Sequence, residues 1–332
     1  TEIPFLHFFL FRYILIIDHF TNDGYLLENS LDGTFSNLNK ADLLRLSAPS
    51  SLPFEVIGKE TATFSDQAFS DLVKKGISHC KRGDVFQIVL SNRFEQAFFG
   101  DDFHIYRQLR RTNPSPYLFY FDFESYRLFG SSPEAQLVVK KNKAEIHPIA
   151  GTFKRTGDDV EDSKKAEKLS KDDKENSEHM MLVDLARNDL SRSAENVKVE
   201  TFKEVQFFSH VIHLVSKVTG HMQKGVNSLQ LVADTFPAGT LSGAPKHNAM
   251  TIINRLEPTN RAIYGGAIGF MDFEGNFNHA IAIRTFLSKG QTLFFQAGMG
   301  VVAKSVVASE MQEIHNKLAA LRRALEVAET LS

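Results

Sequence analysis

The chain has 332 residues, of which 42% are apolar and 23% charged, with a formal net charge of −2. That balance is globular rather than disordered, allows one large domain or two ordinary ones, and supplies no bulk field to recruit nucleic acid or an anionic membrane surface. The single cysteine, Cys80, excludes an internal disulfide framework, points to a reducing, cytoplasmic setting and leaves at most one thiol for nucleophilic work.

In chain order, "IPFLHFFLFRYILII" is apolar but contains His7 and Arg12 and is too short to span a bilayer. It also lacks the basic start and small-residue cleavage site of a signal peptide. "FRYILIIDHF" and "YLLENSL" predict two strands joined at Asn22-Asp23-Gly24. The start at Thr1 instead of Met is expected to be an internal point of a longer natural protein. Residues 30–62 read as a connection with a weak helical patch near 40–47. "SDQAFSDLVKKGISHCKRGD" predicts a helix closed by Gly83. "VFQIVLSNRFEQAF" and "YLFYFDF" predict strands, and "RLFGSSPEAQLVVKKNKAEIHPIAGT" three short ones. Residues 158–177 are charge-dense and read as a solvated loop leading into a helix. "VIHLVSKVTGHM" predicts a strand, "LQLVADTF" and "HNAMTIINRLE" helices, and residues 264–302 a run of antiparallel strands. A last helix covers 309–328. Strands in runs, interrupted by helices, predict an α+β fold.

Two helices carry acids in an unusual place. Glu178, Met181, Leu182 and Leu185 recur at helical spacing, which puts a carboxylate on the stripe that should face a core, and Glu175 lies one turn earlier. In the last helix Met311, Ile314, Leu318, Leu321 and Leu325 form an apolar face, bordered by Glu310, Glu313 and Lys317. Four converging carboxylates need a cation, because repulsion adds to desolvation. Mg²⁺ suits carboxylate oxygens and keeps several waters. Spacing alone leaves open a solvated edge with the acids paired to Lys174 or Lys317. The glycine-rich stretches "PIAGT", "PAGTLSGAP", "YGGAIG" and "QAGMG" read as tight turns whose amides could hold a carboxylate; none has the phosphate-loop spacing. Arg284, in a strand of small apolar residues, requires an anionic partner. His213 in "VIHLVS" reads either as a hydrogen-bonded core residue or as a site residue. Glu134 is a general acid or a turn carboxylate, and Gln87 faces a cavity or solvent. Together these residues predict an enzyme with a carboxylate-bound divalent metal and a small anionic substrate.

The chain resembles the chorismate-utilising enzymes, and within them the large subunits of anthranilate synthase. The resemblance rests on "GDVFQIVLSNRF", "NPSPYLFYFDF", "GSSPE", "PIAGT", "KENSEHMMLVDLARNDL", "SHVIHLVSKVTG", "FPAGTLSGAPK", "YGGAIGF", "AIAIRTF", "QAGMGVVA" and "EIHNKLAALRRAL". These stretches run in family order from about residue 70 to 328. The resemblance implies two stacked, mainly antiparallel β-sheets flanked by helices. It divides the chain into residues 1–62, the hairpin and linker of an N-terminal subdomain, and 63–332, the catalytic domain.

It also implies roles. Glu178 and Glu313 bind Mg²⁺, and Glu175 and Glu310 hold its waters. The ion clamps the ring carboxylate of chorismate. Arg284, Tyr264 and the Gly298–Gly300 amides hold the enolpyruvyl carboxylate, and Gly151, Thr152 and Lys317 complete the pocket. Glu134 protonates the departing C4 hydroxyl, while His213 and Thr240 assist the later elimination. Gln87 stands where the isochorismate-forming branch places a water-activating Lys, and Ala150 stands where some aminodeoxychorismate synthases place a nucleophilic Lys. Gln plus Ala therefore implies amination by ammonia and release of anthranilate and pyruvate. The 4-aminobenzoate branch and an inactive fragment are the alternatives. A glutamine amidotransferase subunit is the implied partner, in a heterotetramer. Pro116, Tyr117 and Leu118 match half of the family's tryptophan-feedback site, whose other half lies in an N-terminal segment not present in this sequence. Phe153 and "AKS" at 303–305 depart from the family's usual Arg and Asp-Ser.

Overall fold

The computed structural model describes residues 2–36, 52–208 and 211–330, with the side chain of Thr152 outside the description. It divides into two units, Thr1–Leu52 and Pro53–Ser332. In the first, β1 (Tyr13–Asp18) and β2 (Asp23–Glu28) form the expected antiparallel hairpin. Asn22 takes the left-handed turn conformation at φ +61°, which Asn tolerates better than most residues. The Asp18 carboxylate accepts from the Phe20 and Thr21 amides and closes the turn. The helical patch expected near 40–47 falls outside the described residues.

The second unit starts with a strand where a connection was expected, β3 (Glu55–Ala62), which pairs with β4 (Gln87–Phe99). Its alternation is broken by a register shift between Ile57 and Thr61, with Gly58 at φ +70°; a bulge of this kind hides a strand from a period-2 reading. Helix α1 (Asp66–Arg82) is capped by Ser65 and ends at left-handed Gly83, as its sequence predicts. Helix α2 (Phe103–Thr112) was not anticipated; only Ile105 and Leu109, four apart, are buried. Next come β5 (Tyr117–Asp122), β6 (Arg127–Ser132), β7 (Ala135–Lys140), β8 (Lys143–Ile146) and β9 (Ile149–Lys154). The stretch read as three strands thus holds four.

The charge-dense segment is helical instead of a loop: α3 (Asp159–Lys171) precedes α4 (Asp173–Leu190). Asp158 and Asp172 each accept two amides at the respective helix starts. Asp162, 1% exposed, takes the Arg155 guanidinium at 2.8 Å and the Thr156 amide at 2.7 Å. A charged residue that is paired inward looks like a solvent-facing one in sequence. The remaining elements are β10 (Ala194–Phe207), β11 (Val211–Met222), α5 (Ser228–Thr235), α6 (Gly239–Ser242), β12 (Gly243–Ala244), α7 (Lys246–Leu256), β13 (Ala267–Met271), β14 (Phe277–Ile281), β15 (Thr285–Lys289), β16 (Thr292–Val302) and α8 (Val307–Thr330).

Two antiparallel sheets result, stacked and flanked by helices, the α+β arrangement expected. One runs β10-β11-β8-β7-β14-β13, with β9 also on β11; the other runs β12-β4-β16-β15-β6-β5, with β3 also on β4. Helices α1 and α8 cover the second sheet through Phe69, Leu72, Val73, Ile314, Leu318 and Leu321, packed against Leu90, Phe129, Phe286 and Met299. Helix α4 covers the first through Val183, Ala186 and Leu190, against Leu137, Val139 and Val218. Four connections pass from one sheet to the other, and two of them are short, direct strand-to-strand links. The β6–β7 link carries Pro133 and Glu134, and the β14–β15 link carries Ala282 to Arg284. They lie side by side, since the Ile281 amide donates to the Glu134 carbonyl at 3.0 Å and the Ser131 amide to the Arg284 carbonyl at 3.1 Å.

Candidate active site

These two crossings set the site. Arg284 is not in a strand, as its apolar neighbours suggested, but at the second crossing, with φ +50°. A non-glycine residue held there carries strain that the surrounding structure must offset. Burial holds the Arg284 guanidinium below its usual range, against the opposing pull of Tyr264, Glu134 and Glu313. Glu134 accepts from Thr240 Oγ1 at 2.9 Å. Burial pushes its carboxyl up to about 7, against the opposing pull of Thr240, Arg284 and Lys317. Such a group holds a proton at neutral pH and can still give it away, which is what a general acid requires.

Tyr264 is 9% exposed. Burial pushes its phenol up to about 12, so it stays a hydrogen-bond donor. Its hydroxyl lies against Gly298, where an added Cβ would meet it at 2.8 Å. Behind it is a network that the sequence did not reveal. The Arg261 guanidinium, 5.8 Å from the Tyr264 ring centre, donates to Glu257 and to the carbonyls of Val89 and Leu241. Glu257 in turn accepts from the amide and hydroxyl of Ser91 at 2.9 Å. Ser91 and Glu257 are too far apart in the chain for any spacing rule to join them.

Gly298 and Gly300 are not in a turn, as "QAGMG" suggested, but inside β16, opposite Ser91 and Val89 of β4. The reason lies in what crowds them: a Cβ on Gly300 would come within 2.2 Å of Gln87 Nε2. β15 pairs with β16 only as far as Phe295, so past that point β16 has an edge toward the site. Lys317 of α8 donates to the Gly298 carbonyl on that edge at 2.8 Å.

"PIAGT" likewise lies in β9, with a register shift at Gly151, φ +70°, between the pairs His213–Thr152 and Leu214–Ala150. The bulge turns the Gly151 carbonyl to His213 Nδ1 at 2.8 Å. A carbonyl only accepts, so Nδ1 carries the proton and Nε2 is the basic nitrogen of the neutral ring. Burial holds the imidazole below its usual range, helped by the Arg284 charge.

The glutamates stand where two helices meet these strands. In α4 the buried stripe is His179, Leu182, Val183, Ala186 and Leu190. Glu175 and Glu178 sit at its half-buried border instead of on it. Glu178 accepts from Gln87 Nε2 at 3.0 Å, while Gln87 Oε1 is buried without a partner. In α8 the predicted apolar face is inward, and Glu310, 4% exposed, lies beside it. Glu313 pairs with Lys317 at 2.6 Å. Burial raises the carboxyl of Glu175, as do the charges of Glu178 and Glu313. Burial and Glu313 raise Glu310, whose carboxylate Ser305 supports. Among the described residues no three or more His, Cys, Asp or Glu side chains converge as a ready-made metal site. Four mutually repelling carboxylates with an orphaned amide oxygen beside them are nonetheless a hard-oxygen donor set of the kind Mg²⁺ takes, with waters filling the remaining positions.

All of the candidate chemistry residues therefore belong to one connected site; for Thr152 only the backbone pairing is described. Pro116, Tyr117 and Leu118 lie apart, at the start of β5, with the Tyr117 hydroxyl donating to Asn278 of the other sheet at 3.1 Å.

A family model described as chorismate binding enzyme matches residues 1–323. The chain belongs to that family. It is 47% identical over 270 residues to an anthranilate synthase component 1 from Aquifex aeolicus (strain VF5), covering 81% of this chain and 55% of the relative. It is 43% identical over 319 residues to an anthranilate synthase component 1 from Bacillus subtilis (strain 168), covering 95% of this chain and 61% of the relative. The crystal structure of anthranilate synthase component I from Streptococcus pneumoniae TIGR4 superposes with a TM-score of 0.84 at 37% identity, covering 94% of this chain and 72% of that one. The chain thus spans little more than half the length of the curated relatives. Among the described residues of this family member, no helix is long and apolar enough to cross a membrane.

Proposed function

We propose that this chain is the chorismate-converting component of an anthranilate synthase, which adds ammonia at C2 of chorismate and eliminates pyruvate to leave anthranilate, the first step of tryptophan biosynthesis. The observation that carries the reading is Glu134, a carboxyl raised to about 7 and bonded to Thr240 beside Arg284. Arg284 and the Tyr264 hydroxyl hold the enolpyruvyl carboxylate, with the open edge of β16 at Gly298 and Gly300 alongside. Gly151, Thr152 and Lys317 complete the pocket. Glu134 gives its proton to the C4 oxygen as ammonia adds at C2. His213, neutral and with Nε2 basic, then stands with Thr240 to take part in proton removal during loss of pyruvate. Glu178 and Glu313 would hold Mg²⁺, with Glu175 and Glu310 supporting its waters, and the ion would supply Lewis-acid stabilisation of the ring carboxylate.

The choice of nucleophile rests on two side chains. Gln87, bonded to Glu178, is an amide and cannot act as a base toward water, and Ala150 is apolar and carries no nucleophile. Ammonia from glutamine comes from a separate amidotransferase subunit, assembled with this chain as a cytoplasmic heterotetramer. In support, Cys80 is buried and its thiol is pushed up to about 11, the opposite of an activated nucleophile. Pro116, Tyr117 and Leu118 are proposed as half of an inhibitor site.

The test is an anthranilate fluorescence assay with chorismate, Mg²⁺ and ammonium salt at alkaline pH, with pyruvate measured in parallel. Equal amounts of anthranilate and pyruvate are expected. Aminodeoxychorismate without pyruvate would move the chain to the 4-aminobenzoate branch, and no consumption of chorismate would mark it as an inactive fragment.

A further inference from the structure

A separate cavity shares Glu134 and Thr240 with the site but touches none of Arg284, Tyr264, Lys317 or the four glutamates of α4 and α8. It runs between α4, β7, the β8–β9 link and α6, and its volume is about 40 Å³. At roughly 10–15 Å³ for each water centre, that admits about three or four waters. Gln136 lines it, 4% exposed, with neither its amide nitrogen nor its amide oxygen bonded to any described residue. An amide buried in that way is costly unless water satisfies it. At another point of the lining is His147, whose side chain is 33% exposed. The cavity thus joins the candidate acid to a residue at the protein surface, past a side chain able both to donate and to accept.

We propose that this cavity is a water port for Glu134, and that Gln136 is the positioning residue that holds its water. The inference rests on the reading of Glu134 as the acid. In each turnover the Glu134 proton moves to the C4 oxygen as the C4–O bond breaks, with the electron pair leaving on oxygen, and one water forms. Chorismate in the pocket covers the front of Glu134, so the carboxylate left behind needs another path to a proton. The proton shed by the ammonia nitrogen after it adds at C2 balances the one consumed, and no oxidant or reductant is involved. Ordered water on Gln136 Nε2 and Oε1 supplies the path and carries off the water released.

A high-resolution crystal structure of the full chain is expected to show ordered waters on both atoms of the Gln136 amide, continuing to Glu134. Gln136→Leu is expected to lower kcat about tenfold and to increase the solvent deuterium isotope effect, with chorismate KM unchanged and Tm little changed, because the amide makes no bond to the protein that the variant would lose. Gln136→Asn should recover part of the rate, and Gln136→Met serves if the Leu variant does not fold. A dry cavity, or a variant with the parent kcat and isotope effect, overturns the port. Glu134→Gln separates the two ideas. If it keeps full activity, the acid assignment fails. If it is inactive while Gln136→Leu is normal, only the port fails.

Discussion

Glu134 and the glutamates of α4 and α8 are the same carboxylate in two surroundings. Glu134 receives one hydroxyl, from Thr240, and only the more distant charges of Arg284 and Lys317, so desolvation wins and the group keeps its proton to about pH 7. Glu178 and Glu313 receive direct donors, the Gln87 amide at 3.0 Å and the Lys317 ammonium at 2.6 Å. The lesson is that position in the sheet framework gives the acids different surroundings, which match the proton-donating and cation-binding roles proposed for them. A crossing between sheets holds Glu134 beside Thr240, whereas two helix borders carry the other four, with Glu310 buried and Glu175, Glu178 and Glu313 half-buried.

The largest expected effect breaks the first surrounding. Glu134→Gln keeps the shape and removes the acid, so kcat for anthranilate should fall about 10²- to 10⁴-fold, with KM for chorismate changed little. At fixed free ammonia, the parent rate should decline as pH rises through about 7, because the acid form is lost. The stability linkage has the same sign. The folded-state value lies above the ordinary 4.5, so the favourable contribution is fully present below about 4.5 and is lost as pH rises through about 7. Thermal melts across that window should fall more steeply for the parent than for Glu134→Gln; parallel curves would refute the assignment.

Breaking the second surrounding tests metal binding. Glu178→Gln and Glu313→Gln should each abolish the Mg²⁺ response, and EDTA should do the same to the parent. Glu175→Gln and Glu310→Gln, at the positions proposed to reach the ion through water, should raise the Mg²⁺ needed for half-maximal rate roughly 10–100-fold. Equal effects at all four positions would show that no inner pair exists. Gln87→Lys sharpens the comparison further, since it places an amine against Glu178. It is expected to divert part of the product from anthranilate to isochorismate, read by mass spectrometry.

How much of this was legible in the sequence differs between the two regions for a physical reason. The last helix and its acid border could be read directly, because a 3.6-residue period places Glu310, Glu313 and Lys317 around Ile314 and Leu318 without any knowledge of the fold. The helix after residue 172 was read with its stripe slightly rotated, because His179 and Ala186, both buried, do not look like core residues. The crossings were not legible. Arg284 looked like a strand residue because a chain passing between two sheets is apolar on all sides, and nothing local marks φ +50°. The glycines of "QAGMG" and "PIAGT" looked like turns because glycine's usual meaning is a turn. Here one stretch clears space for Gln87 within a strand and the other makes a bulge. The roles of these residues came from resemblance, and the Arg261–Glu257–Ser91 brace came only from the structure.

The smallest expected effect lies where the two surroundings meet. Gly151 gives its carbonyl to His213 and backs onto α4, where an added Cβ would meet Leu169 Cδ1 at 2.8 Å and Glu175 Oε2 at 3.2 Å. Its φ of +70° adds a backbone penalty of about 1–2 kcal/mol for any residue with a side chain. Gly151→Ala should therefore lower Tm by several degrees. It should also displace Glu175 enough to raise the Mg²⁺ requirement modestly, since Leu169 is fully buried and has less room to yield than the glutamate. A matched loss of Tm without any change in Mg²⁺ response would mean that the bulge serves only the sheet. A change in both would tie the bulge that orients His213 to the acids proposed to bind the ion, through a residue with no side chain to spare.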